Sequence, residues 1–174
     1  MRRLIVAVAM LALLASAGCK SRRKARGGAA ADDGQLVSIV NVADPRAAIQ
    51  LTRGFHTIEN DSWRWAMKTF AVALRRPTGA AQNGARLELK FVLPEAIFSK
   101  VGPTTISATI NGVALAPETY SAAGEGTYAR DVPASALNSD TINVEFNVDK
   151  GIPAGDQDSR ELAIIVTTVG LLPK

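Results

Sequence analysis

Apolar residues in this chain recur with a period of two, and that period constrains the fold more than any other feature. Leu87, Leu89 and Phe91 alternate with Glu88 and Lys90. Ile106, Ala108 and Ile110 alternate with Ser107 and Thr109, and Ile142, Val144 and Phe146 with Thr141, Asn143, Glu145 and Asn147. Phe70, Val72 and Leu74 form a more apolar version with Ala71 and Ala73. Side chains of a strand point to opposite faces in turn, so such runs predict antiparallel strands with one buried and one wet face. Leu162 to Val166 is continuously apolar, which predicts a central strand covered on both faces. Asn111-Gly112 between two apolar runs predicts a type I′ hairpin, because both residues tolerate positive φ. Pro77 to Gly84, Gly124-Glu125-Gly126 and Gly151 to Gly155 read as turns or loops. Pro45 to Ala48 and Ala134 to Leu137 predict one helical turn each. About eight short strands with this spacing predict an all-β, antiparallel β-sandwich, with jelly-roll topology the first choice.

The first nineteen residues are of another kind. Met1-Arg2-Arg3 is cationic, Leu4 to Leu14 is an unbroken apolar run of eleven, and Ala15-Ser16-Ala17-Gly18 precedes Cys19, the only cysteine. Eleven residues are too few to span a bilayer as a helix, and the flanks are those of a secretory signal. The position of Cys19 resembles the lipobox of bacterial lipoproteins, with Ser16 where leucine is commonest. That resemblance implies a lipid-modified Cys19 and a mature domain in the bacterial cell envelope, in the periplasm or on the outer face. An ordinary cleavage site that contains a cysteine is the alternative.

Residues 20–34 read as a tether. Five of the seven residues from Lys20 to Arg26 are cationic, and the remainder is rich in Gly and Ala. Such composition cannot bury enough apolar surface to offset its ordering entropy. The formal charge of +4 is therefore local. Seven of the 20 Lys and Arg residues precede Gly27, so thirteen face all 16 acidic residues from Asp32 onward, about −3 for the rest. A nucleic-acid partner is not expected, because the excess charge lies outside the folded part. Attraction to anionic lipid headgroups and a plain solvated spacer remain alternatives. Residues 35–174 suffice for one domain with its own core.

A resemblance rests on Leu51-Thr52-Arg53-Gly54-Phe55, Trp63-Arg64-Trp65, Asn111-Gly112, Asp158-Ser159-Arg160-Glu161-Leu162, Val166 and Val169-Gly170-Leu171. Together these resemble bacterial jelly-roll modules that occur as envelope lipoproteins and as appendages to glycosyltransferase-type membrane proteins. It covers nearly all of Leu51 to Leu171. It implies a sandwich similar to galactose-binding and carbohydrate-binding domains, and it implies no particular ligand.

The residues exclude several chemistries. The single His56 has no Gly-x-Ser-x-Gly partner for a hydrolytic triad. One Cys and one His, thirty-seven residues apart, do not make a zinc site. There is no Walker or Rossmann glycine loop. No cofactor is expected. Paired carboxylates for glycoside hydrolysis come down to Glu59 with Asp61, or Asp156 with Asp158. A calcium site from Asp149, Asp156 and Asp158 is a second oxygen-ligand alternative.

The aromatic segment Phe55 to Trp65 holds both Trp residues and the only His. Trp63 and Trp65 lie two apart, so on a strand they share a face and Arg64 takes the other. Either the indoles pack at the core with their N–H groups bonded to backbone, or they form a platform for a sugar ring or peptide. Candidate binding residues are Trp63, Arg64, Trp65, His56, Glu59 and Arg160. Arg160 is expected to pair with Glu59, Asp61 or Asp158, Arg64 also needs a carboxylate, and the two segments should meet at one end of the sandwich. Three functions stay open. One is a non-catalytic envelope module that binds a glycan or a protein. The others are a structural subunit without a ligand and a polysaccharide hydrolase or lyase.

Overall fold

The computed structural model describes residues 35–174. The signal segment, Cys19 and the tether lie outside the described residues. Nine strands form the domain: β1 (Ile39–Asn41), β2 (Leu51–Glu59), β3 (Trp63–Arg75), β4 (Ala85–Leu93), β5 (Thr104–Ile110), β6 (Val113–Tyr120), β7 (Gly124–Val132), β8 (Thr141–Val148) and β9 (Ile164–Pro173). Every pairing among them is antiparallel. The strand order is β6-β5-β8-β3-β9-β4-β7, with β1 on β9 and β2 on β3. The fold is an all-β sandwich, consistent with a jelly roll. Among the described residues, no helix is long and apolar enough to cross a membrane.

β3 joins the two layers. Its first part, Arg64 to Ala66, pairs with Ile164 to Val166 of β9. Its second part, Thr69 to Arg75, pairs with Thr141 to Asn147 of β8. Between them the strand turns a corner, and its backbone loses a strand partner. There the Lys68 N–H is satisfied by the Glu161 carboxylate at 2.7 Å. On its other edge, β2 follows the corner through three register shifts. Gly54 sits in this irregular stretch at φ +75°, with the Thr69 and Phe70 backbone directly over it. Two strands can approach this closely only where one of them has no side chain in the way.

The alternating runs bury as their period requires. Ala85, Leu87, Leu89, Phe91 and Leu93 of β4 point inward, as do Ile106, Ala108 and Ile110 of β5 and Ile142, Val144, Phe146 and Val148 of β8. Phe70 stacks on Phe146 at 4.9 Å between centroids and meets Phe55 edge-on at 5.2 Å. Asn111 and Gly112 both have positive φ, as the type I′ hairpin between β5 and β6 needs.

Four expectations are corrected. The central strand starts at Ile164, not Leu162, and Leu162 instead makes an isolated bridge with Ile152. That strand alternates, with Ile165, Thr167 and Thr168 only partly covered, because one of its faces is half open. Gly124 to Gly126 is the start of β7 rather than a loop, and Gly126 pairs with Phe91, whose ring fills the space a Cβ would take. Besides the 3₁₀ turns Pro45–Ile49 and Ala134–Ala136, there are two short helices, α1 (Ala80–Asn83) and α2 (Glu95–Val101).

The edges of the two layers are bridged by side chains. Arg130 of β7 donates to the backbone oxygens of Ala116 and Pro117 and to the Glu118 carboxylate of β6. The Tyr128 hydroxyl also donates to the Ala116 oxygen, at 2.9 Å. The Ala116 and Pro117 carbonyls at this edge are therefore already occupied.

Candidate functional site

The aromatic segment and the Asp158–Leu162 segment are neighbours, as the sequence analysis expected. Trp65 is opposite Ile165 in the ladder. His56 Nε2 lies 2.8 Å from the Glu161 carbonyl oxygen; a carbonyl can only accept, so that nitrogen carries the proton. Arg160 ties two loops together. It donates to Asp158 Oδ1 through its backbone N–H (2.9 Å) and Nε (3.0 Å), to Oδ2 through Nη2 (2.9 Å), and to Glu59 Oε1 through Nη1 (2.5 Å). A guanidinium offers a planar fork of donors, which is why one arginine can hold two acids from different loops. Asp61 takes no part: it lies with Asn60 in the β2–β3 turn, both at positive φ.

The hydrogen bonds from Arg160 hold the Asp158 carboxyl down at about 2. A carboxylate with a depressed folded pKa stabilises the fold above its ordinary value, and that contribution is lost as pH falls through the folded value. We expect wild type to lose thermal stability between about pH 4 and pH 2 more steeply than Asp158→Asn. Melting curves across that range test this; parallel curves would show that the pair contributes nothing.

Arg64 departs from expectation. Its Nε donates to the Val42 oxygen at 2.8 Å and Nη1 to the His56 oxygen at 2.9 Å. A backbone carbonyl just after β1 and another within β2 take the place of the expected carboxylate. Trp63 also departs: its Nε1 is buried and meets no acceptor among the described residues. The calcium alternative is not supported by the geometry. Asp149 accepts from the Thr105 N–H at 2.7 Å, and both Asp158 oxygens face Arg160. Among the described residues, no three side chains of metal-ligand type come together.

Of the six candidate binding residues, Trp65 alone lines a groove at this end. The groove has a volume of about 460 Å³. Its apolar wall is Trp65, Ile97, Ile152, Pro153 and Leu162, and its polar rim is Lys100, Asp156, Gln157 and Asp158. α2 supplies Ile97 and Lys100, which the sequence analysis missed together with the helix. The signals were present: Pro94 as N-cap, Glu95 in the first turn, Lys100 in the last, and Gly102 at the C-cap. Trp65 is half-buried, with part of its ring on the core.

No protein-family model and no curated protein sequence matches the chain. Among solved structures, the chain is similar to the CBM36-1 domain of a multidomain xylanase from the hindgut metagenome of Trinervitermes trinervoides, at 9% identity and TM-score 0.43, over 78% of this chain and 96% of that one. It is also similar to a CBM36 carbohydrate-binding module in complex with calcium and xylotriose, at 6% identity and TM-score 0.41, over 78% and 99% of the two chains. A third is an acetyl xylan esterase from the rumen bacterium Butyrivibrio proteoclasticus, at 10% identity and TM-score 0.46 over 78% of this chain. The chain spans 32% of that esterase's length. The likeness concerns strand arrangement alone.

Proposed function

We propose that this is a lipid-anchored envelope protein whose β-sandwich binds a glycan, without catalysis, in the groove walled by Trp65. The observation that carries the reading is the composition of that groove. A half-buried indole beside Ile152, Pro153 and Leu162 offers an apolar face to the C–H surface of a sugar ring. Lys100, Asp156 and Gln157 on the rim offer donors and acceptors to hydroxyl groups. The anchor rests on Cys19 and its preceding small residues.

The non-catalytic part rests on the acids. Glycosidases need a carboxylic acid whose pKa is raised so that it can give up a proton. Asp158 is pushed the other way, to about 2, and Glu59 shares the same arginine. The assembly alternative would use a sheet edge or an apolar face for a partner; at the β6 edge, Arg130 already occupies the Ala116 and Pro117 carbonyls.

Trp65→Ala is expected to lower glycan affinity by about 30-fold or more, the loss of a binding hot spot. Affinity electrophoresis and calorimetry against a panel of soluble polysaccharides would measure it. Trp65→Phe, which keeps an aromatic face on the core, should retain most of the binding and separate recognition from folding. The reading fails if wild type binds nothing in the panel, or if folded Trp65→Ala binds as wild type does.

A further inference from the structure

We propose that the face of the domain formed by β1 and the Pro45–Ile49 turn is a membrane-docking surface that seats against an anionic bilayer. This rests on the anchored reading for its reach, and it is independent of the glycan groove. Four large hydrophobic side chains are exposed among the described residues: Val37 (48%), Ile39 (52%), Ile49 (57%) and Val113 (37%). The first three line one hollow of about 340 Å³ between β1 and the Pro45–Ile49 turn. Scattered exposed aliphatics need no explanation, but three around one hollow mark a contact surface.

What that surface meets is indicated by its neighbours. Gln35 lines this hollow and also a second one of about 630 Å³ that contains Arg75, Arg76, Thr78 and Gln82. Arg76 is held by Asp140 at 2.7 Å, whereas the Arg75 side chain makes no hydrogen bond or ion pair among the described residues. Asp44 and Asp140, the acids here, each already carry an arginine partner. An aliphatic lip beside an arginine is the pattern of an interfacial membrane contact, in which apolar groups enter the acyl boundary and cations meet phosphate. Gln35 follows Cys19 by sixteen residues, five of them Lys or Arg. A fully extended segment of that length spans at most about 55 Å, so an acylated Cys19 would hold Gln35, beside this hollow, within that distance of the bilayer.

The test uses the full protein, processed by cells and reconstituted in vesicles of phosphatidylethanolamine and phosphatidylglycerol. With Cys19 acylated, Ile49→Cys supplies the only free thiol for an environment-sensitive fluorophore, and Ser62→Cys in the β2–β3 turn supplies the same probe at the groove end. The probe at Ile49→Cys should shift to the blue and be quenched by brominated lipid, while the one at Ser62→Cys should not. Adding Ile39→Ser should abolish the shift. Equal emission at the two sites overturns the proposal. So does a shift that depends on protein density rather than on lipid, which would assign the surface to a second copy. If Cys19 itself labels in wild type, the anchor reading has failed; docking is then read from Cys19→Ser/Ile49→Cys mixed with the same vesicles, where an absent shift rejects it.

Discussion

Gly54→Ala is expected to remove a large part of the stability of the fold. An alanine there would hold φ at +75° and place its Cβ 2.2 Å from the Thr69 oxygen and 2.8 Å from Phe70 Cα. The left-handed conformation alone costs about 1–2 kcal/mol for a residue with a Cβ. The clash is worse, because its partners are backbone atoms at the corner of β3 and cannot rotate away. Relief requires β3 to move, and with it Phe70. We therefore expect a loss of at least about 4 kcal/mol against a total of about 5–15 kcal/mol for a domain of this kind. Gly112→Ala is the matched control, since its φ is +85° and its Cβ would meet nothing within 4 Å. It should lose only the conformational part. Urea titrations of the two variants would decide the matter: equal losses would mean that the close approach at Gly54 is not what builds the corner.

Phe70→Ala is expected to cost about 3–5 kcal/mol, the range for deleting a fully buried aromatic. Phe70 is wholly buried and is the middle ring of three, stacked on Phe146 and edge-on to Phe55. It also lies opposite Phe146 in the β3–β8 ladder, so one side chain serves both strand register and the packing of the core. Phe70→Leu should recover much of the loss, and a double-mutant cycle with Phe146→Leu should show coupling of about 0.5–1.5 kcal/mol. Additive effects would show that the stacking itself contributes nothing beyond burial.

Strands whose signal is local were legible in the sequence. β4, β5 and β8 alternate because each has one face on the core, and residue type alone reports that. β9 was read two residues early, because Leu162 is as apolar as its neighbours while its role as a bridge partner for Ile152 depends on a distant loop. β7 was missed because Gly124 and Gly126 read as turn residues; only the Phe91 ring explains a glycine there. For Arg160 the sequence offers Glu59, Asp61 or Asp158, the acids nearest to it and to the aromatic segment, and the structure uses Glu59 and Asp158. Arg64 could not be assigned in the same way, because its partners are backbone carbonyls, which carry no residue signature. For the same reason the groove was only half visible. Trp65 and the loop before Asp158 were singled out, but the wall made by α2 belongs to a segment thirty residues further along the chain.

The corner strand has a consequence for the order in which the chain can fold. β2 and β3 are sequence neighbours and can zip as a hairpin at once. The remaining partners of β3 are β8, some seventy residues away, and β9, about a hundred residues away at the C-terminal end; β1 also waits for β9. Such non-local pairings make folding slow. The layer in which β9 lies between β3 and β4 is not complete until β9 has been synthesised. A chain built in this way keeps its core open on one side until β9 is in place.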